Sequence, residues 1–232
     1  MKIRIKFSKH GAMKFIGHLD IMRYFQKAIR RADLDIVYTE GFSPHIASPL
    51  GVGLTSDAEY FDIEIHGTIS SEEAVNRLNR VMVDGIEVLS FRQVPQDKAN
   101  KAMSLVAAAD YFVSYRDGKS PCRDWQEKLL EFYSQKQIVI VKKTKKSEKE
   151  MGIRPYIYKL EQKDDGIFMQ LCAGSVTNIK PELVMEAFTQ WLHVEQQPFS
   201  LLVHRMEMYA DVGTEEKRQF VSLEDLGEEI AE

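Results

Sequence analysis

At 232 residues the chain can form one large core or two small ones, and two are expected. Its 44% hydrophobic and 28% charged residues are those of a globular protein, which excludes a disordered or fibrous class. No apolar run nears the roughly 20 residues that span a bilayer, and the charged start MKIRIKFSK lacks a signal peptide's apolar stretch, so a cytoplasmic protein without a membrane partner is expected. The net charge of −4 is uneven: residues 211–232 hold eight acidic and two basic residues, whereas residues 1–40 hold nine Lys/Arg against four Asp/Glu, and residues 136–163 nine against three.

Lys2 to Phe7 alternate charged and apolar residues with Ile3, Ile5 and Phe7 on one face, which predicts a half-buried strand. After glycines at 11 and 17, apolar residues at Leu19, Met22, Phe25, Ile29 and Ala32 have helical spacing, with Asp20 in the first turn, where the helix dipole favours it. Ile36 to Thr39 reads as a short strand, and Phe61, Ile63 and Ile65 alternate with Tyr60, Asp62, Glu64 and His66 in another. Ser70 and Glu73 form a capping signature ahead of the stripe Ala74, Val75, Leu78, Val81, Met82, and Ile86 to Val94 reads as a strand.

This βαββαβ order is that of a ferredoxin-like unit over residues 1–97. Beyond a linker the order repeats over residues 106–211. Tyr111, Val113 and Tyr115 mark a strand; Ser120 and Pro121 suit a helix start ahead of Trp125, Leu129, Phe132 and Tyr133; Ile138 to Val141 is a strand, followed by a lysine-rich stretch. Ile167 to Leu171 is a strand, Pro181 opens a helix through Leu183, Val184, Ala187, Phe188 and Trp191, and Leu201 to Met208 is the last strand. The expected fold class is α+β, two tandem ferredoxin-like domains with antiparallel sheets. The acidic tail, residues 212–232, is expected to be flexible or to form a short peripheral helix.

Thr39 to Asp57 is a long loop with two prolines, three glycines, Phe42 and His45, and ordered loops of that length are commonly functional. With the turn carrying Lys9, His10 and Lys14 and the helix start at Gly17, His18 and Asp20, it gathers polar groups that the hydrophobic pattern does not need. The candidate ligand-binding residues are therefore Lys9, Lys14, His18, Asp20, Arg23, Lys27, Glu40, Phe42 and His45, and the candidate catalytic residues are His18 and His45. A metal site built from His10, His18, His45 and Asp20 would match no zinc-binding spacing, and no metal is expected.

The stretch from Lys9 to Ile65, in which FIGHLD is followed by EGFSPH, resembles the radical SAM-linked protein family. Ile153, Arg154 and Pro155 are a weaker piece of the same likeness, and between His45 and Pro49 the chain is shorter than the family pattern. Family members occur alone or as the tail of a radical SAM protein, so the resemblance implies a radical SAM enzyme as partner. A radical SAM enzyme needs three closely spaced cysteines for its cluster, and this chain has only Cys122 and Cys172. The pair also makes no disulfide framework, and nucleotide-binding glycine patterns are absent. No cofactor is expected.

Three readings of different class follow. The first is a non-catalytic accessory protein that binds a substrate, RNA or tRNA, for the radical SAM enzyme, with Arg23, Lys27, Arg30 and Arg31 as a basic stripe and Phe42 or Tyr60 stacking on an unpaired base. The second is a hydrolase or nuclease-like enzyme with His18 or His45 as general base and Lys9 or Lys14 steadying an oxyanion. The third is a scaffold that touches only its protein partner.

Overall fold

The alternating start of the chain forms β1 (Lys2–Lys9), and the helical stripe forms α1 (His18–Arg31), in a computed structural model that describes residues 1–37, 45–96, 101–143, 148–214 and 216–231, with the backbone alone for His45, Lys142, Lys143, Glu148 and Lys149. The protein is α+β. It divides into two units, Met1–Ala108 with Arg205–Glu232, and Ala109–His204.

In the first unit a 3-10 turn, Gly11–Phe15, joins β1 to α1. There follow β2 (His45–Ile46), β3 (Thr55–Glu64), α2 (Ser71–Asn79), β4 (Ile86–Val94) and α3 (Ala102–Leu105). β1 lies between β4 and β3, β2 pairs with β3, and all three pairings are antiparallel. The strand expected at Ile36 to Thr39 is reduced to a bridge between Ile36 and Ile65, and Thr39 lies outside the described residues. Ser70 caps α2 as its sequence predicts, accepting the Glu73 N–H at 3.3 Å. The helix ends at Asn79, so Val81 and Met82 pack from the turn beyond it.

The apolar row of β1 meets the apolar stripe of α1. Phe25 stands 4.6 Å from Phe7 and 4.8 Å from Phe61 between ring centroids, and Ile3, Ile5, Ile29 and Ile63 are buried around them. Leu19 departs from the expected stripe and is 61% exposed, while Ile21 takes the inward position in that turn.

The second unit contains the end of β5 (Val106–Tyr115), then α4 (Trp125–Ser134), β6 (Val139–Lys143), β7 (Glu148–Gly152), β8 (Ile157–Lys163), β9 (Gly166–Cys172) and α5 (Pro181–Trp191). The helix expected to start at Ser120 and Pro121 starts at Trp125, whose ring packs edge-on against Tyr115 at 5.3 Å. β6 forms a separate two-stranded sheet with β7, and β8 lies beside β9 in the sheet that also holds β5. The pattern hides β8 because a register shift between Ile157 and Lys159 breaks its alternation.

The chain then returns to the first unit through β10 (Leu201–Asp211) and β11 (Phe220–Ser222). Here the expected flexible tail is overturned. β11 pairs with β10, Leu223 is fully buried, and Glu228 exchanges two backbone hydrogen bonds of 2.9 Å with Gln93 on the edge strand β4. Ile230 and Ser71 are joined by a 3.0 Å backbone hydrogen bond and by one of 2.9 Å from the Ile230 N–H to the Ser71 hydroxyl. The acidic residues are spent on cations. Glu224 receives Lys6 at 2.8 Å, and Arg92 lies 3.4 Å from Glu229 and 3.7 Å from Glu224.

That return changes β1. Its polar row, expected to face water, is largely buried as well: Lys2 is 6% and Arg4 1% exposed. Arg4 donates to both Asp62 oxygens, at 2.9 and 3.3 Å, and to the Leu223 carbonyl at 3.1 Å, while Lys6 also meets Glu207 at 2.7 Å. Burial disfavours the Lys6 ammonium, but hydrogen bonds and attraction from Glu207 and Glu224 outweigh it and hold its pKa above the usual lysine value. Charges removed from water are tolerated only when paired in this way.

Candidate functional site

β1 does not end on an apolar residue. The row Ile3, Ile5, Phe7 continues to Lys9, and the row Ile63, Phe61 of β3 continues in the other direction to Glu59. Both charged side chains therefore point to the helix-bearing side of the sheet, where Lys9 is 4% and Glu59 3% exposed. The pairing of β1 with both neighbours shifts register between Lys6 and Lys9, and such irregularities re-aim side chains beside sites.

The two residues line a narrow cleft with Phe7, Ile16, His18, Ile21, Ile46, Pro49 and Leu50. α1 contributes its first turn. Gly17 is the N-cap and offers no side chain to the free N–H groups, and the Asp20 carboxylate in the first turn lies against it, 3.6 Å from where a Cβ of residue 17 would stand. Opposite it, Arg205 from β10 is 1% exposed. One guanidinium nitrogen lies 2.8 Å from Glu59, and the others donate to the carbonyls of Ser48 at 2.7 Å and Ala58 at 3.1 Å. Arg205 and Glu59 thus neutralise each other and fix the loop after β2. Among the described residues the Lys9 ammonium has no hydrogen bond or ion pair. Burial pushes its pKa below the usual lysine value, Glu59 pulls it back, and Arg205 adds a smaller push down.

Of the residues singled out from sequence, Lys9 and His18 come together at this cleft. Lys14 stands apart, its ammonium 5.2 Å from the ring centre of Phe15 and its carbonyl accepting the Gly53 N–H at 2.7 Å. Asp20 pairs with Arg23 at 3.3 Å on the exposed side of α1, which also carries Lys27. His45 pairs through its backbone with Asp62, its side chain lies outside the described residues, and so do Glu40 and Phe42. Tyr60 cannot stack on a base, because it is fully buried and its hydroxyl donates to Glu207 at 2.6 Å. His18 makes no side-chain hydrogen bond among the described residues. A histidine paired with a carboxylate is instead His10, 2.7 Å from Asp57, with both side chains about half exposed.

Sequence reasoning missed Glu59 and Arg205. Extending the β3 alternation back by one strand position would have found Glu59 on an apolar row; no local signal brings Arg205 to the loop after β2.

The edge of the site rests on Gly85, which has φ +89° and accepts the His10 N–H at 2.8 Å. A Cβ there would lie 2.7 Å from the His10 carbonyl oxygen. Gly85→Ala is expected to lower unfolding stability by about 2 kcal/mol or more, from strain and a backbone clash together. A urea melt checks it, and an unchanged midpoint would show that the turn relaxes freely.

Residues 2–181 match the profile of DUF2344, a family of uncharacterized proteins conserved in bacteria, and the chain belongs to that family. Among curated proteins none matches the chain.

Proposed function

We propose that this member of the DUF2344 family is a non-catalytic accessory protein that binds an RNA substrate, such as a tRNA, for a radical SAM modification enzyme. The observation that carries the reading is the outward side of α1. Arg23, Lys27, Arg30 and Arg31 are all exposed there, and the neighbouring turn presents Phe15, 64% exposed, under the Lys14 ammonium. Cations spaced along a helix suit a phosphate backbone, and an exposed aromatic ring offers a stacking surface to an unpaired base. Leu19 and Val52, about 60% exposed, extend the apolar tip beside that ring.

RNA-binding modules of related architecture often use the open face of the sheet. In the first unit that face carries the buried pairs of Arg4 and Lys6 with Asp62, Glu207 and Glu224, so the helix side is the surface left to an RNA. The radical SAM partner enters through the resemblance of Lys9 to Ile65. We also read both units as ferredoxin-like. What supports this for the first is the antiparallel order β4-β1-β3-β2, with helices between β1 and β2 and between β3 and β4. In the second, β8 would take the place that the sequence assigned to β6, with β6 and β7 as an inserted hairpin.

Filter binding of total cellular RNA at two salt concentrations tests the function. Arg23→Glu with Lys27→Glu is expected to weaken retention at least about tenfold and to reduce the slope of log affinity on log salt by about two. Equal retention of the variant, or none by the wild type above a neutral control, would remove RNA from the proposal.

A further inference from the structure

The exposed surface along α1 is sorted by chemistry. Beyond Leu19 every exposed residue of the helix is charged: Asp20, Arg23, Lys27, Arg30 and Arg31. Arg23, Lys27 and Arg31 follow one another at four-residue spacing, a row about 12 Å long on one side of the helix. Arg31 donates to the Val81 carbonyl at 3.4 Å, which holds the turn after α2 against this end of the row and brings the exposed Arg80 to it. Complementing the helix dipoles accounts for Arg30, Arg31 and Arg80, which end their helices, but not for Lys27 and Arg23, one and two turns earlier.

The other end is apolar. Phe15, Leu19 and Val52 are 64%, 61% and 60% exposed. The Gly53 N–H donates to the Lys14 carbonyl at 2.7 Å, which ties the turn of Val52 to that of Phe15, and Leu19 follows in the first turn of α1. Lys14 is held over the Phe15 ring, 5.2 Å from its centre, so ring and cation together suit one nucleotide with its phosphate. Between the two ends Asp20 pairs with Arg23 at 3.3 Å and puts a negative charge on the boundary.

We infer that this face takes an RNA stem-loop, with the paired stem along the cation row and an unpaired loop base on Phe15. The inference rests on RNA being the ligand of α1. An unstructured strand brings a base with every phosphate, and its sites interleave aromatic rings with cations. Here no exposed ring accompanies the row: Phe25 is buried, and Tyr24 is half-buried with its hydroxyl accepting the Val83 N–H at 2.8 Å. A duplex presents phosphates and no free base faces, which suits the row and leaves the apolar tip unused. The junction of stem and loop uses both.

Fluorescence anisotropy of the full chain with three labelled RNAs tests it: a stem closed by an unpaired loop, the same stem as a blunt duplex, and the loop sequence as a linear strand. The stem-loop should bind at least about tenfold tighter than either of the others. Phe15→Ala, at an exposed position, should bring the stem-loop down to the affinity of the duplex and leave the duplex unchanged. Arg80→Ala should weaken stem-loop and duplex alike and reduce the slope of log affinity on log salt by about one. Equal binding of the stem-loop and either other RNA overturns the inference while leaving RNA as the ligand. So does a loss in Phe15→Ala that the duplex shares, or an unchanged salt slope in Arg80→Ala. No binding of any of the three overturns it together with the RNA reading.

Discussion

A chain cut after Asp211 is expected to lose about 5 kcal/mol or more, enough to unfold the first unit of a protein of ordinary stability. The cut removes Leu223, whose full burial is worth about 2 kcal/mol, and the paired backbone hydrogen bonds between Glu228 and the β4 edge. It also takes the Leu223 carbonyl from Arg4 and the Glu224 carboxylate from Lys6, leaving two cations on β1 short of partners. Stranded charges of this kind cost more than their contacts gave. Circular dichroism melts of the full and shortened chains decide it. A milder variant, Leu223→Ala, should lose about 2–4 kcal/mol through the cavity alone. If the shortened chain melted within a few degrees of the full one, the C-terminal segment would be an ornament on a unit that is complete without it.

Arg205→Met should have the second largest effect, a loss of about 3 kcal/mol or more. It leaves the buried Glu59 carboxylate facing only Lys9 and abandons the carbonyls of Ser48 and Ala58. Adding Glu59→Gln should recover part of the loss, because the remaining carboxylate no longer has to be held as an ion. The contrast with Lys9→Met is informative. Both cations act on Glu59, yet only Arg205 forms an ion pair with it, while burial disfavours the Lys9 ammonium. Chemical denaturation of the three variants gives the comparison, and equal losses for Arg205→Met and Lys9→Met would erase the distinction between the ion-paired cation and the one that burial disfavours.

Much of the first unit was legible because its elements are amphipathic. Ile3, Ile5 and Phe7 announce β1, Phe25 and Ile29 announce α1, and Ser70 with Glu73 announces α2, each through residues within two turns or a few strand positions of one another. β11 and the chain beyond it were not legible. Their hold on the unit comes from backbone hydrogen bonds and from acids matched to Lys6 and Arg92, partners more than a hundred residues away, and an acidic stretch with few apolar residues reads as solvated. The site was legible in part for the same reason. Lys9 and His18 flank one short turn, whereas Arg205 reaches the loop after β2 only through the return of β10. β8 failed differently: its two buried residues, Ile157 and Leu160, stand three apart across a register shift, which a strict period of two rejects.

The first unit is made of the beginning and the end of the chain, with residues 109–204 between them. Synthesis runs from the N-terminus, so the 109–204 unit has all of its residues while the first unit still lacks Arg205, Leu223 and Glu224. Until then Arg4 lacks the Leu223 carbonyl, Lys6 lacks Glu207 and Glu224, and Glu59 lacks Arg205. A nascent chain would carry cations on an open sheet face while the whole 109–204 unit is made, and the first unit would close only after Glu224 was added.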